Sequence, residues 1–263
     1  MDRARQGLHH GPVRLGARAA AGGGLATARA GRRPRPGRRR LVRGAHGRGG
    51  PVRRHQAALA NGFLPEGQTL PALLPAKDQA RLQAAAALLG VPATQFDTLR
   101  PWYAELAITS ALYQKLGVQG ADGVEQQLWA GLSPTARRVS LETPQEQVGF
   151  FADAPMADQL ASLDQTLRDM GHARRDYQVL LAAWMNGDLR ALDREVVRPL
   201  RKVSPRLYGT LVVQRNTRWT EALAHRPPGF GTDVVVVGMG HLIGPDGLPA
   251  RLRALGYEVD GPS

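Results

Sequence analysis

Four consecutive valines, Val234-Val235-Val236-Val237, run directly into Gly238-Met239-Gly240-His241. A valine run without polar alternation is typical of a short strand that is buried on both faces. Farther on, residues 245–247 (Pro-Asp-Gly) predict a turn, 248–255 a short helix that ends at Gly256, and 257–259 a last strand. This strand–loop–helix–strand order predicts an α/β arrangement at the C-terminus.

His241 lies on the loop after the valine strand, and ligands of α/β folds bind outside the carboxyl ends of such strands. Gly238 and Gly240 would let the loop backbone approach a ligand closely. Two interpretations of His241 stay open: a loop histidine with a satisfied hydrogen bond, or a metal or catalytic residue. The loop lacks the third glycine of a dinucleotide fingerprint, the Lys-Ser/Thr of a phosphate loop, and a second histidine four residues away.

Upstream of this unit, from about residue 55, the sequence is mainly helical with few strands. Helical spacing predicts a helix that includes Leu82 and ends at Gly90, and Pro101 can open the next one. Residues 138–141 predict a short strand, followed by a capping box that starts at Thr143. Further helices are expected over 155–170, 172–186 and 189–225. On the helix that Pro101 opens, the side chains expected to be buried are Leu106, Leu112 and Leu116. On the helix over 172–186 they are Tyr177, Leu180, Leu181 and Trp184.

The positive charge of the chain is confined to its first 54 residues. The whole chain has a net charge of +13, and residues 1–54 alone carry fifteen arginines, no lysine and one acidic residue. Residues 55–263 are therefore close to neutral, which excludes a basic globular domain. The chain has no cysteine, so disulfides, cysteine-ligated zinc and thiol catalysis are excluded. No apolar run approaches the ~20 residues that span a bilayer.

Residues 1–54 consist mostly of Arg, Gly, Ala and Pro and lack Phe, Tyr, Trp and Ile. Such a segment buries too little apolar surface to offset the entropy of ordering, so we expect it to be disordered. One interpretation is a basic arm for nucleic acid or an anionic surface. A secretory signal is disfavoured because no apolar stretch follows the arginines, and a transit peptide because serine is absent. The third interpretation is a GC-rich gene translated in another frame.

The C-terminal block resembles the signature of the TraB/GumN family, the bacterial relatives of the Tiki proteases. The resemblance covers about residues 55–263 in family order, with one mild departure at Glu125, where the family more often has Asp. The segments that carry it are 62–70, Arg100-Pro101-Trp102, 123–128, Leu141-Glu142-Thr143 with Gln147, Gln214-Arg215-Asn216 with Trp219, and 238–248 with Leu252-Arg253 and Gly256-Tyr257.

This resemblance implies a site built from two G-x-x-H motifs, an early glutamate and a later arginine, with a metal-dependent, peptidase-like activity. His241 matches the second histidine and Arg215 the arginine. We expect both to share a cleft with Glu142, which would act as a ligand, a base or a partner that orients His241. Structural salt bridges are the alternative for Arg215 and Glu142. The metal would be Mn²⁺, Co²⁺ or Zn²⁺, and the substrate, peptide or small molecule, stays undetermined.

The first G-x-x-H motif and its glutamate are missing from residues 1–54. A reading shifted by one nucleotide can place Gly-Ser-Val-His-Val-Leu-Pro-Pro-Glu over 14–22 and Ala-Gly-Trp over 23–25. Over 27–43 it can place Pro-Pro-Glu-Leu-Asp-Ala-Ala-Leu-Ala-Gln-Ala-Asp-Asp-Val-Trp-Phe-Glu. This resembles the family's opening motif, a helix, and a strand closing on glutamate.

Three functional hypotheses follow. The chain is a family member whose metal-dependent hydrolase site is inactive as written, a non-catalytic binding or regulatory member, or a protein that binds nucleic acid through its tail. The last is disfavoured because no aromatic residues interleave with the arginines. We expect an α/β domain over 55–263 with a truncated sheet and an exposed edge beside the valine strand, and a tail over 1–54 that does not pack against it. Family members are commonly exported or lipid-anchored, and any export signal would precede the missing strand.

Overall fold

The computed structural model describes residues 13–14, 41–44, 50–118, 124–133, 136–225 and 233–261. This part of the chain is mainly helical, with a few short strands. Its α-helices are Gly50–Asn61 (α1), Leu70–Leu73 (α2), Ala76–Leu89 (α3), Pro101–Lys115 (α4), Val124–Ala130 (α5), Pro144–Ala152 (α6), Met156–Asp169 (α7), Ala173–Asn186 (α8), Leu189–Leu192 (α9), Arg198–Val203 (α10), Pro205–Tyr208 (α11), Arg215–Ala224 (α12) and Leu248–Ala254 (α13). Its strands are Val13–Arg14 (β1), Leu41–Gly44 (β2), Arg137–Ser140 (β3), Asp233–Val236 (β4) and Val259–Asp260 (β5).

Several helix ends lie where the sequence predicts them. Pro101 opens α4, and Gly90 and Gly187 end α3 and α8 in the left-handed conformation, with φ of 79° and 66°. Thr143 caps α6 through a complete capping box, in which its side chain accepts from the Glu146 N–H and the Glu146 side chain accepts from the Thr143 N–H. Each of these signals acts within one helical turn, so the local sequence suffices to specify it.

Three apolar clusters hold the described helices together, and two of them are large. The larger one joins α3, α4 and α7 through Leu82, Ala85, Ala86, Ala104, Ile108, Leu163 and Leu167. The second joins α8 and α9 to the loop after β4 and includes Ala183, Leu192, Val212 and Ile243. Because Ile243 is anchored in this second cluster, the loop that carries His241 is held against the helices.

Three apolar residues expected to be buried are exposed, and those expectations are wrong. Leu106, Leu181 and Val234 have 51%, 40% and 40% of their surface accessible. On α4 the buried positions are Pro101, Trp102, Ala104 and Ile108. Ala104 and Ile108 share the face that packs in the larger cluster, and Leu106 lies on the opposite side of the helix. Val234 is the one exposed position of β4, whose other residues are partly buried.

β2 is the middle strand of a parallel three-stranded sheet with the order β3-β2-β4. Arg43 of β2 lies opposite Val139 of β3 and Val235 of β4. A separate parallel ladder pairs β1 with β5, so the C-terminal strand–loop–helix–strand unit spans two ladders. Within the described ranges β4 has no second partner strand and forms one edge of its sheet. The expected α/β class is therefore matched only loosely, by short strands in a mainly helical chain.

The expectation that residues 1–54 do not pack against the rest is wrong for residues 13–14, which pair with β5, and for residues 41–44, which form the middle strand. The physical reason is that strand pairing uses backbone groups, which an arginine-rich segment also has. α1 begins at Gly50, ahead of the expected boundary between residues 54 and 55. Residues 1–12, 15–40 and 45–49 lie outside the described residues, so disorder there stays a prediction, as does the division into a tail and a domain. Among the helices that the structure describes, none has both the length and the apolar character needed to cross a membrane.

Candidate functional site

The candidate site lies at the carboxyl ends of the parallel strands β3 and β4. Both strands run parallel to β2, so their carboxyl ends lie at the same edge of the sheet. Glu142 follows the end of β3 by two residues, and His241 ends a 3₁₀ turn, Met239–His241, that follows β4. Arg215 begins α12, directly after a π-helical segment, Gly209–Gln214. Three segments that are distant in sequence thus contribute the three predicted residues.

Glu142 and Arg215 form a two-point ion pair. The Arg215 Nε donates to Glu142 Oε1 at 2.7 Å, and Nη2 donates to Oε2 at 2.8 Å. The Glu142 side chain has 0% of its surface exposed. Two further side chains reach the same carboxylate: Gln147 Nε2 lies 3.4 Å from Oε2, and Arg218 Nη2 lies 3.6 Å from Oε1. The geometry shows that the two side chains form an ion pair, and a catalytic role for either of them stays a prediction.

Aromatic rings and a backbone carbonyl complete the surroundings of Arg215. Its guanidinium carbon lies 5.0 Å from the centre of the Phe150 ring and 4.9 Å from that of Trp219, within the range of cation–π contact. Its Nη1 donates to the Leu211 carbonyl at 3.1 Å. A guanidinium carries five N–H donors. Three of them are used by Glu142 and Leu211, which leaves two without an acceptor in the described chain.

His241 is buried beside Trp219, with ring centres 4.5 Å apart. Its Nδ1 lies 2.8 Å from Oδ1 of Asn216, and its Nε2 has no hydrogen-bond partner among the residues that the structure describes. Burial, and to a lesser extent the positive charge of Arg215, lower the pKa of His241 to about 3. The imidazole is therefore neutral at physiological pH. Glu142 was one candidate for the partner that orients this ring, and the structure assigns that contact to Asn216 instead.

Asn216 belongs to the Gln214-Arg215-Asn216 motif, and the sequence predicts no separate role for it. It is fully buried, with 0% of its surface exposed. Its amide nitrogen donates to the carbonyls of Asp246, at 2.7 Å, and His241, at 3.3 Å. The adjacency of Arg215 and Asn216 at the start of α12 was the only available signal, since nothing local indicates that Asn216 reaches a loop 25 positions away.

Asp246 and Arg251 hold the far side of the same loop. The Tyr208 hydroxyl donates to Asp246 Oδ2 at 2.8 Å, and Arg251 Nη2 donates to Asp246 Oδ1 at 3.2 Å. Burial and the Asp246 carboxylate raise the pKa of Tyr208 to about 12, so the hydroxyl keeps its proton. The sequence indicates only a turn at Asp246, because its partners come from other segments.

The glycines that the loop conformation requires are Gly244 and Gly247 and not the expected Gly238 and Gly240. Gly238 has an extended backbone, with φ −60° and ψ 147°, and a methyl group at Gly238 or Gly240 would meet its nearest atom only at 3.9 Å. Close approach of a ligand to these two glycines stays a prediction. Gly244 has φ of +74°, and a Cβ at Gly247 would lie 2.9 Å from the Leu242 carbonyl carbon. The tight turn after His241 therefore depends on Gly244 and Gly247.

The described residues do not by themselves fit a metal site. A catalytic metal generally takes about three protein ligands. Within the described ranges no group of three or more His, Asp or Glu side chains could hold an ion. Both oxygens of Glu142 already accept hydrogen bonds from Arg215, so among the three predicted site residues only the His241 imidazole has a nitrogen lone pair to offer.

An open cleft of about 550 Å³ lies near the start of α12, although Glu142, Arg215 and His241 do not line it. Phe150 lines this cleft and also contacts the Arg215 guanidinium, and Gln214 lines it directly before Arg215 in sequence. The charged residues along the cleft are Glu146, Asp153, Asp158 and Arg206. The cleft therefore offers a mixed polar surface next to the site.

The chain is similar to known proteins over most of its length. A model of the TraB/PrgY/gumN family matches residues 52–261. Two curated relatives, each titled "Uncharacterized protein YbaP", one from Escherichia coli (strain K12) and one from Shigella flexneri, are 30% identical over 166 residues, which is 63% of this chain. The match spans 61% of the length of those relatives. No solved structure matches significantly.

Proposed function

Because the chain belongs to the TraB/PrgY/gumN family, we propose that its C-terminal part carries one half of a metal-dependent, peptidase-like hydrolase site, inactive in the chain as written. The observation that carries this proposal is the neutral, buried His241, held through Nδ1 beside Arg215 at the carboxyl ends of two parallel strands. A histidine binds a metal in its neutral form, through one ring nitrogen, while the N–H of the other ring nitrogen donates a hydrogen bond that orients the ring.

Arg215 would stabilise negative charge on a substrate. Its two remaining N–H donors can bind the oxygen of a carbonyl group as charge develops there. Glu142 holds this guanidinium in place through two hydrogen bonds and occupies its other side. We therefore propose that Glu142 positions Arg215 and contributes to hydrolysis through it. The adjoining cleft would take the peptide or small-molecule substrate.

The missing half would come from residues 14–43 in the shifted reading. That reading puts glutamate at position 43, and the backbone of residue 43 lies in the middle strand, opposite Val139 and Val235. This backbone position lies near the carboxyl end of β2, at the same edge of the sheet after which Glu142 and His241 follow. The position of β2 thus supports the hypothesis that a carboxylate belongs there.

A second candidate function is binding or regulation without catalysis. It is favoured by the engagement of both Glu142 oxygens with Arg215 and by the single histidine at this edge. On this view the same scaffold binds a peptide or small molecule in the cleft, and the arginine recognises an anionic or carbonyl oxygen of that ligand.

Cobalt binding distinguishes the two candidates. We would compare the chain as written with a version whose residues 14–25 and 27–43 carry the shifted reading, each with and without His241→Asn. Asn at 241 can still donate to Asn216 but lacks Nε2. We expect weak Co²⁺ binding by the chain as written, and binding tighter by at least about tenfold, with the visible absorption of bound cobalt, in the restored version only when His241 is present.

The result that contradicts the proposal is equal affinity of the restored chain with and without His241. Zn²⁺ and Mn²⁺ titrations would be run in parallel, because nitrogen and carboxylate ligands accept all three ions. Peptide hydrolysis by the chain as written would also overturn the proposal, since it predicts no activity without the first motif. A restored chain that folds and binds none of these metals would favour the non-catalytic alternative.

A further inference from the structure

We propose that Asn216 is a positioning residue that keeps the ring proton of His241 on Nδ1 and thereby directs the Nε2 lone pair to whatever the site binds. The first step concerns the orientation of the amide. The two groups nearest to the Asn216 Nδ2 are carbonyl oxygens, of Asp246 at 2.7 Å and of His241 at 3.3 Å. Carbonyl oxygens only accept hydrogen bonds, so the NH₂ group must face them.

The orientation of the amide decides the tautomer of the imidazole. With its nitrogen facing the two carbonyls, Asn216 presents Oδ1 to His241 Nδ1 at 2.8 Å. An amide oxygen can only accept, so Nδ1 must carry the proton. In a neutral ring the other nitrogen is then unprotonated, and Nε2 is the Lewis base of the site.

The same amide also fixes the direction of the ring. Asn216 contacts both the ring and the backbone carbonyl of His241, so one fully buried side chain holds two points of one residue. Trp219 lies against the ring, with centroids 4.5 Å apart. Asn216 and Trp219 are three positions apart and share one face of α12. Two side chains of α12, Asn216 and Trp219, therefore fix the orientation of the His241 ring together.

This inference rests on the proposed function, because an available Nε2 lone pair matters only if the site binds a metal or a substrate. The tautomer itself can nevertheless be measured without either. Long-range ¹H–¹⁵N correlation spectra of ¹⁵N-labelled protein at pH 7 distinguish protonated from unprotonated ring nitrogens. The His241 signals are identified by their loss in His241→Asn. We expect a protonated Nδ1 and an unprotonated Nε2 in the unaltered chain.

Three variants then test the role of Asn216. Asn216→Ala removes the acceptor, and we expect the proton to move mostly to Nε2. Asn216→Asp keeps an oxygen beside Nδ1 and loses the two donor contacts, so we expect Nδ1 to stay protonated although the fold is less stable. Asn186→Ala, at the exposed end of α8, is the control that leaves His241 unchanged.

A proton on Nε2 in the unaltered chain, or an unchanged tautomer in Asn216→Ala, would overturn the inference. If Asn216→Ala does not fold, Asn216→Asp decides: loss of the Nδ1 proton in that variant has the same consequence. Cobalt titration of the restored chain separates the two proposals. If the expected tautomer is found but the restored chain binds no cobalt, the positioning role stands and the proposed function fails. If a folded Asn216→Ala variant of the restored chain binds cobalt as tightly as the restored chain itself, the proposed function stands and the positioning role fails.

Discussion

Arg215 and Glu142 are bound to each other at two points, with N···O distances of 2.7 and 2.8 Å, although 73 positions separate them in the sequence. The pair joins the start of α12 to the loop between β3 and α6. A buried carboxylate without a counter-charge is unfavourable, so each member depends on the other.

Replacement of Arg215 should therefore destabilise the protein strongly. Arg215→Met keeps much of the side-chain volume but leaves the Glu142 carboxylate buried and without its main counter-charge, and we expect a loss of about 3–5 kcal/mol in the free energy of unfolding. Urea denaturation followed by circular dichroism measures it. Arg218→Met is the matched control, because Arg218 is half-exposed and lies 3.6 Å from Glu142, and its loss should cost less than about 1 kcal/mol. Equal effects of the two variants would contradict the central role of Arg215.

The pKa of His241 predicts how stability changes with pH. The unfolded chain binds a proton at this histidine below pH ~6.5, whereas the folded site does so only near pH 3. The unfolded state thus binds more protons between these values, and the free energy of unfolding should fall by roughly 1.4 kcal/mol per pH unit as the pH is lowered through this window.

The test of this pH dependence is a difference between two proteins. Urea denaturation of the unaltered chain and of His241→Asn at pH 7, 6 and 5 cancels the titration of the other groups. We expect the unaltered chain to lose stability relative to the variant as the pH falls, with a larger loss between pH 6 and 5 than between pH 7 and 6. Parallel curves over the whole range would show that His241 is not held neutral in the fold.

Gly247 should tolerate no side chain. A Cβ there would lie 2.9 Å from the Leu242 carbonyl carbon and 3.0 Å from the Ile243 nitrogen, both backbone atoms. Because the loop cannot yield without moving Ile243 out of its core cluster, we expect Gly247→Ala to lower stability by more than about 2 kcal/mol. The control is Gly209→Ala, where the backbone is helical and the space is open. That variant should be neutral or more stable by up to about 1 kcal/mol, and thermal unfolding of both tests the contrast.

The capping box at Thr143 should be worth about 1 kcal/mol. Thr143→Ala removes the side-chain oxygen that accepts from the Glu146 N–H at 3.2 Å, at the end of the loop that carries Glu142. Thr143→Ser keeps this acceptor and should stay within about 0.5 kcal/mol of the unaltered chain. Chemical denaturation of the two variants measures the difference, and a serine variant as unstable as the alanine variant would show that the cap is not the cause.

The sequence alone determined those features that act within a few residues. The left-handed glycines after α3 and α8, the proline that opens α4, the capping box of α6 and the strand that ends before His241 all depend on local sterics and hydrogen bonds. The family signature could likewise be read from contiguous residues, and the family match confirms it. Interactions within a few residues can be predicted without knowing how the rest of the chain folds.

Only the tertiary structure decided which side chains meet. Leu106 has an apolar side chain of the kind found in cores, yet it is exposed, because burial depends on which face of α4 meets α3 and α7. Glu142 was a candidate partner for His241, and the partner is Asn216, because the start of α12 approaches the loop after β4 across 25 positions of sequence. Whether a polar side chain serves as ligand, counter-ion or orienting group depends on what the packing brings within hydrogen-bond distance, and that distance is set by the long-range assembly of helices and strands rather than by the spacing of residues along the chain.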